Sequence, residues 1–351
     1  MKILANEFLE SIYQNEKEST LSGKWITYKD IENLFKKYQP TFEVTQIGTS
    51  EEEKPIQQLK IGTGSKKILL WSQMHGNEST GTKALFDLFN CFLNNREELS
   101  TILKACTLVF IPMLNPDGAQ VYTRINANGI DLNRDAVDKK AKESKLLRKI
   151  LEEFNPQFCF NLHDQRTIFN VEGTKNPATI SFLAPSEEVT RSLTKGRTET
   201  MNVIVAMNKM LQNVIPNYVG RYTDEFYPTA TGDNFQKLGF NTILIESGHF
   251  PNDYIREESR KYTFFSILQG IYHIATAINF NLYKEYFSIP NNNKIFYDVI
   301  HRYPNSKDDV AYQYQDIIMN NKLVSKLVKV DEKVLKSKIG HSEIVFESEK
   351  F

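Results

Sequence analysis

Long apolar runs are missing from this 351-residue chain, and so is any surplus of charge. No stretch is apolar enough to span a bilayer as a helix, so no membrane partner is expected. Lys+Arg and Asp+Glu stand at 43 each. That balance removes the electrostatic basis for binding nucleic acid or an anionic membrane. Cysteine is scarce: Cys91, Cys106 and Cys159 are an odd number without disulfide-scaffold spacing. Cys106 and Cys159 lie in apolar runs and read as buried thiols, and Cys91 falls within a helical pattern. The opening residues Met1–Lys2–Ile3–Leu4–Ala5–Asn6–Glu7 lack the apolar core of a secretion signal. Together these features predict a cytoplasmic protein. Gly62–Thr63–Gly64–Ser65 lacks the Gly-Lys-Ser/Thr ending of a phosphate loop and reads as a hairpin turn. There is no internal repeat and no low-complexity tract.

What is present is an alternation of strand and helix. Ile68–Leu69–Leu70–Trp71, Cys106–Thr107–Leu108–Val109–Phe110–Ile111, Phe158–Cys159–Phe160–Asn161–Leu162 and Asn241–Thr242–Ile243–Leu244–Ile245 read as buried strands. Strands apolar on both faces are covered on both faces. Between them run helical patterns, such as Ala84, Leu85, Leu88, Phe89, Phe92 and Leu93, and long ones over residues 190–214 and 254–280. The fold class is therefore α/β: a twisted, largely parallel mixed sheet with helices on both faces. Residues 1–282 read as one catalytic unit. From about 283 the character changes, with a turn at Asn291–Asn292–Asn293. Residues 283–351 then read as a Lys-rich C-terminal extension with short strand-like stretches at 323–330 and 344–346.

Three of the strands end in residues that can act together. Ile68–Trp71 leads into His75 and, three residues on, Glu78; the 158–162 strand delivers His163; the 241–245 strand ends at Glu246. In open α/β sheets the carboxyl ends of strands are where ligands bind. His75, Glu78 and His163 supply two imidazoles and a carboxylate, a zinc-binding set with a fourth position left open. Glu246 is a further carboxylate able to take a proton from an activated water and return it to a leaving amine. The remaining histidines, His249, His273, His301 and His341, are not assigned to metal; His249 follows Ser247–Gly248 and is placed either to line the cleft or to pack there.

These motifs, in this order, resemble the M14 family of zinc carboxypeptidases. The similarity is carried by His75–Gly76–Asn77–Glu78, Asn115–Pro116–Asp117–Gly118, Arg124, Gly129–Ile130–Asp131–Leu132–Asn133–Arg134, Asn161–Leu162–His163 and Ile243–Leu244–Ile245–Glu246, and it covers about residues 25–280. The resemblance implies one Zn²⁺ on His75, Glu78 and His163, with Glu246 as general base. It further implies Asp131 as the hydrogen-bond partner that orients His75, Arg124 as stabiliser of the oxyanion, and Asn133 with Arg134 as the grip on a substrate carboxylate. Read without the resemblance, Asp131 is a loop residue making an Asx-turn. The family also uses a mobile tyrosine. Tyr227 fits best by its distance from Ala230–Thr231–Gly232, and Tyr222 is its rival. Asn77 departs from the animal digestive enzymes, which carry arginine there. Asp233 would favour a cationic substrate group and the nearby Phe235 an apolar one.

The expected function is a metallopeptidase that removes a C-terminal residue from a peptide or small amide bearing a free carboxylate. Two alternatives keep the same zinc chemistry: a murein-peptide amidase, and a deacylase of N-acyl amino acids. A non-catalytic peptide-binding relative is disfavoured because all three ligands and Glu246 are present.

Overall fold

The computed structural model describes residues 1–95, 97–304, 308–331 and 335–347. An eight-stranded sheet forms its centre, built from β1 (Glu43–Thr49), β2 (Pro55–Ile61), β3 (Lys66–Trp71), β4 (Cys106–Ile111), β5 (Phe158–Asp164), β7 (Ile180–Leu183), β8 (Val219–Arg221) and β9 (Asn241–Ser247). The short β6 (Phe169–Val171) lies outside it and pairs with β10 (Asn292–Lys294). The strand order is β1-β2-β4-β3-β5-β9-β7-β8. The middle run β4-β3-β5-β9 is parallel; β2 pairs antiparallel with β4 and β1 antiparallel with β2, while β7 pairs antiparallel with β9 and carries β8 parallel to itself.

Strands β3, β4 and β5 divide their apolar side chains between two cores, so they do not alternate cleanly between apolar and polar. Ile68 and Leu70 of β3, Leu108 and Phe110 of β4, and Phe158, Phe160 and Leu162 of β5 join the larger core. It is closed by the helices Thr80–Asn94, Lys195–Val214 and Glu257–Thr276. Leu69 and Trp71, Val109 and Ile111, and Cys159 face the smaller core with Leu147, Leu151 and Phe235. These last come from the helices Lys142–Phe154 and Thr231–Lys237. All three cysteines are buried as free thiols.

The glycine-rich link at 62–65 is not a hairpin turn. β2 pairs with β4, so the chain must cross the start of β4 to reach β3 on its far side. A Cβ on Gly62 would lie 2.2 Å from the Cys106 carbonyl oxygen, and Gly62 has φ +85°. Close backbone approach is the reason for glycine here.

A buried ion pair clamps the larger core. Arg260 donates from Nε to Asp87 Oδ2 (2.7 Å) and from Nη2 to Asp87 Oδ1 (2.5 Å). It also donates to the carbonyls of Leu21 (2.6 Å) and Glu18 (2.9 Å). Both charged groups are fully buried. One guanidinium thus ties the N-terminal segment, the helix after the first motif and the last long helix together.

Residues 283–294 pack on the main body. Tyr286 and Ile289 lie in the larger core, and the Tyr286 hydroxyl accepts from Ala184 N (3.2 Å). Asn292–Lys294 is a strand, not a turn. Its Asn292 side chain donates to Ser181 Oγ (2.9 Å) and Gln165 Oε1 (3.3 Å). A second sheet begins at β11 (Phe296–Arg302) and adds β12 (Val310–Met319), β13 (Lys322–Val330) and β14 (Ile339–Val345) in the order β13-β12-β11-β14. β12 and β13 pair from Met319↔Lys322 onward. The two residues between, Asn320 and Asn321, take φ 50° and 56°, the conformation that suits a tight hairpin turn. Among the described residues no helix is long and apolar enough to cross a membrane.

Candidate metal centre and cleft

His75 and Glu78 occupy the turn between β3 and the helix Thr80–Asn94. That turn is pinned from below. A Cβ on Gly76 would lie 2.0 Å from the Gly118 carbonyl carbon, so the His-Gly-Asn-Glu and Asn-Pro-Asp-Gly turns meet backbone to backbone. Asn115 fastens both: its Oδ1 accepts from Gly118 N (2.8 Å) and its Nδ2 donates to the Met74 carbonyl (3.2 Å). Gln73 holds φ 51°, a costly backbone for a non-glycine residue. Its amide secures it by donating to the Ile26 (2.8 Å) and Gly76 (2.9 Å) carbonyls.

His163 lies near the end of β5 and Glu246 near the end of β9, and they are direct register partners across that parallel pair. His75 Nδ1 is 2.8 Å from Glu78 Oε1, His163 Nδ1 is 2.8 Å from Glu78 Oε2, and the two Nδ1 atoms are 3.1 Å apart. On its other side His75 donates from Nε2 to Asp131 Oδ1 (3.1 Å). With Nε2 donating, Nδ1 of the neutral ring turns its lone pair toward Glu78 Oε1, and either a second ring proton or a metal cation fits between the two. The potential ligand atoms of all three residues lie within 4.8 Å of one another. Two imidazoles and a carboxylate, one imidazole held from behind by an aspartate, fit a metal ion of the zinc type. His163 Nε2 is buried without a hydrogen-bond partner among the described residues.

The electrostatics follow from burial and crowding. Burial opposes charge on all three groups. The Glu78 and Asp131 carboxylates nonetheless hold His75 above its ordinary value, and the two imidazoles hold Glu78 well below its own. His163 is pushed down by burial. Glu246 is raised well above the usual carboxylate range, first by burial and then by the charges of Glu78 and Asp164.

Arg124 and Asp131 sit together beside His75. Arg124 donates from Nε to Asp131 Oδ2 (2.9 Å), and its Nη1 lies 3.1 Å from His75 Nδ1 and 3.4 Å from Glu78 Oε1. Asp131 also caps the short 3₁₀ turn Leu132–Arg134 through Asn133 N (2.9 Å), so the Asx-turn geometry and the contact with His75 occur in one residue. Asn133 Oδ1 accepts from Thr231 N (3.0 Å), which turns its NH₂ group away from that helix end. Arg134 is exposed, with Nη1 on the Asn133 carbonyl (2.7 Å).

The two tyrosines part company. Tyr222 is mostly buried, and its hydroxyl is pushed far up by burial and by the charges of Glu246 and Glu78. Tyr227 is half exposed, and its hydroxyl donates to Glu225 (3.1 Å). Phe235 packs edge-on to Trp71 at 5.5 Å in the smaller core, away from the cleft. Asp233 is buried under the Tyr227 backbone N–H (3.1 Å), and burial pushes its carboxyl up to about 6.

The motif-by-motif reading did not reach the other wall of the cleft. A cavity of about 420 Å³ opens beside Glu78 and Arg124. Its far side is made by β12 of the second sheet, with Gln313, Tyr314 and Asp316, and by His249 below. His249 stacks near His341 of β14 at 4.2 Å, and His341 bonds the Thr167 carbonyl (2.9 Å). Such long-range contacts leave no periodic signal in a sequence.

The profile of the zinc carboxypeptidases matches residues 27–323. Among curated proteins, carboxypeptidase 2 of Trichophyton equinum is 24% identical over 147 residues, 41% of this chain and 26% of that protein. Carboxypeptidase E of Caenorhabditis elegans is 30% identical over 116 residues, covering 26% of this chain and 25% of the relative. Gamma-D-glutamyl-L-diamino acid endopeptidase 1 of Lysinibacillus sphaericus is 33% identical over 100 residues, 26% of this chain and 25% of the relative. The matched segment thus spans only about a quarter of those proteins. Two solved structures share the fold. They are a metallo-carboxypeptidase from Burkholderia cenocepacia (TM-score 0.56, 16% identity, 71% of this chain and 69% of that one) and carboxypeptidase A from Helicoverpa armigera (TM-score 0.56, 17% identity, 78% and 80%). With its mixed sheet, its convergent His-Glu-His cluster and a profile match over most of its length, the chain belongs to the M14 family of zinc carboxypeptidases.

Proposed function

We propose that this chain is a zinc-dependent exopeptidase that releases the C-terminal residue of a peptide. The observation that carries the reading is the convergence of His75, Glu78 and His163, with Glu246 beside His163 on the neighbouring strand. When bound there, a zinc ion supplies Lewis acidity that acidifies water and polarises the scissile carbonyl.

The side chains have distinct tasks. Glu246 takes the proton of the attacking water and passes it to the leaving amine; its raised affinity for a proton suits both halves of that transfer. Asp131 keeps His75 in the tautomer that leaves Nδ1 free, and holds Arg124 by its Nε. Arg124 then presents Nη1 to the charge that develops on the carbonyl oxygen. Asn133 and Arg134 bind the terminal carboxylate, the free amide NH₂ and the exposed guanidinium offering donors side by side. Of the two candidate tyrosines, Tyr222 feels the charge of Glu246 and Tyr227 that of Arg134; the nearness to Glu246 favours Tyr222 as the tyrosine that meets the substrate.

A second reading has its own support. The relative from Lysinibacillus sphaericus is named for cleaving a γ-D-glutamyl–diamino acid bond, and the walled cavity suits a compact substrate. A short murein peptide is therefore the main alternative to an ordinary peptide.

The test is hydrolysis of free and C-terminally blocked peptides, a murein tripeptide and N-acyl amino acids, with and without chelator, beside Glu246→Gln. Chelator-sensitive release from free-carboxylate peptides, lost in the variant, is expected. Cleavage of blocked peptides at equal rates would sink the carboxylate-grip assignment. No cleavage of any substrate by the zinc-loaded protein would sink the exopeptidase reading.

A further inference from the structure

The cavity beside the metal cluster is walled by a part of the chain that the catalytic motifs do not include. β12 approaches across it. Asp316 is paired with Lys24 and lies 3.5 Å from the Tyr122 hydroxyl. Tyr314 stacks edge-on to Tyr254 at 5.1 Å, and Asp298 of β11 takes hydrogen bonds from the Tyr254 hydroxyl (3.1 Å) and Tyr314 N (2.7 Å). The second sheet is therefore seated on the main body by polar and aromatic contacts. Asn133 and Arg134 do not line this cavity, whereas Glu78 and Arg124 do. If Asn133 and Arg134 hold the leaving residue, the cavity lies on the opposite, acyl side of the scissile bond.

Its lining is chemically incomplete. Asn77 Oδ1, Asp164 Oδ1, His249 Nε2 and Gln313 Nε2 are buried atoms without a hydrogen-bond partner among the described residues, and all four residues line this one cavity. Unsatisfied buried polar atoms are uncommon and call for an explanation. His249 is 2% exposed, and burial together with His341, Arg256 and Lys24 pushes it down to about 2. It is a neutral imidazole able to accept. Three of the four can accept, a carboxylate oxygen, an amide oxygen and, with the ring proton on Nδ1, the His249 Nε2 nitrogen; the fourth, Gln313 Nε2, is a donor.

Charge points the same way. Leaving aside Glu78 and Arg124, which belong to the metal cluster, the lining carries four carboxylates (Asp164, Asp253, Asp298, Asp316) against three cations (Lys24, Arg166, Arg256). Lys24 and Asp316 neutralise each other, leaving three carboxylates and two cations; Asp253 accepts from Glu257 N and Ser259 N and Asp298 from Tyr254 and Tyr314, so Asp164 is the carboxylate with an oxygen to spare. Arg256 is already held by the carbonyls of Ser247 (2.6 Å) and Gln165 (2.6 Å). Arg166 is exposed.

The geometry points to an acyl-side subsite for the free ammonium of a short peptide: Asp164, Asn77 and His249 receive its N–H donors, and the second sheet stops peptides that continue further. This rests on the exopeptidase reading, which sets the direction of the substrate. It makes the chain a trimmer of small peptides with unblocked amino termini rather than of long polypeptides.

The test is equilibrium binding to the full-length, zinc-loaded Glu246→Gln protein by calorimetry. The probes are Ala-Ala-Phe, propanoyl-Ala-Phe, which lacks only the amino group, and a hexapeptide with three further alanines upstream. The tripeptide is expected to bind about tenfold more tightly than its deaminated analogue, the effect of a charge-assisted contact in a half-enclosed site. The hexapeptide is expected to bind more weakly than the tripeptide, and Tyr314→Ala, which opens the wall, to narrow that difference. His249→Leu should shrink the amine preference while His249→Gln retains part of it. Equal binding of tripeptide and deaminated analogue, tight binding of the hexapeptide, or no binding of any probe would each overturn the assignment. Failure of the exopeptidase reading shows separately, as absence of hydrolysis by the wild-type chain.

Discussion

Asp131→Ala should separate holding the metal from using it. The carboxylate accepts three hydrogen bonds at once: from His75 Nε2 at 3.1 Å and Asn133 N at 2.9 Å on Oδ1, and from Arg124 Nε at 2.9 Å on Oδ2. Burial works to raise the Asp131 carboxyl, yet His75 and Arg124 hold it far below its ordinary range, so it is ionised wherever the protein is folded at neutral pH. Removing it frees the His75 ring to turn and to change tautomer. Partners of this kind are worth about ten- to a hundredfold in metal affinity, or about 1.4–2.8 kcal/mol. Asp131→Asn refines the test. Its amide oxygen can keep His75 and Asn133, but its NH₂ then meets the Arg124 N–H donor to donor. Zinc affinity should therefore fall near the lower end, about tenfold, while kcat/KM at saturating zinc falls further than occupancy explains. The assay is competition with a chromophoric zinc chelator beside peptide hydrolysis. Unchanged zinc affinity in Asp131→Ala would refute the orienting role. Full activity of Asp131→Asn at saturating zinc would refute the claim that Asp131 positions Arg124.

Gly76→Ala should destabilise the fold as well as the site. Its Cβ would lie 2.0 Å from backbone of the facing turn, and forced overpacking costs about 1–3 kcal/mol, read as a lower Tm; an unchanged Tm would show that the two turns can part freely. Asp87→Ala removes the two-point carboxylate partner of the fully buried Arg260 guanidinium and leaves it Glu257 Oε2 at 3.2 Å from Nη1. A loss of about 3–5 kcal/mol is expected in denaturant titration, and a loss below about 1 kcal/mol would mean that Glu257 and the Leu21 and Glu18 carbonyls satisfy the charge without Asp87. Asp233→Asn should do the reverse at neutral pH. The Asp233 carboxyl is pushed up to about 6 by burial, so the folded state resists ionising it more than the unfolded chain does. The resulting penalty is fully present above pH 6 and fades as pH falls toward the unfolded value near 4. The variant should gain up to about 3 kcal/mol at pH 7 and much less at pH 4; an equal gain at both would exclude this cause.

The strands that carry the site were legible because they are buried on both faces. Runs such as Ile68–Trp71 and Cys106–Ile111 show little alternation since their apolar side chains meet one core or the other. Their polar ends stood out against that background, and so His75, His163 and Glu246 could be found as a set. Strand order was less accessible. The glycines at 62 and 64 read as a hairpin turn, because the same residue serves a tight turn and a close crossing over β4. Asn291–Asn292–Asn293 read as a turn for a similar reason, yet the Asn292 side chain is spent on Gln165 and Ser181, which lie more than a hundred residues away. The two-asparagine turn at 320–321 was a local signal that could have marked the β12–β13 hairpin. Nothing local could show that β12 would face the cleft, since that depends on pairings such as Asp316 with Lys24, 292 residues apart.

The arrangement of the strands also has a consequence for a chain still being made. β3 and β5 are neighbours, but 88 residues separate His75 from His163. Glu246 follows 83 residues later still, on β9, the next strand across the sheet. A growing chain that has emerged only as far as β5 holds His75, Glu78 and His163 but not yet Glu246. The second sheet, which walls the cavity, is completed last of all. Under the proposed function, a chain made in this order acquires Glu246 after its metal cluster and the wall of its cavity after both, so the unfinished protein would have little capacity to cut its neighbours or itself.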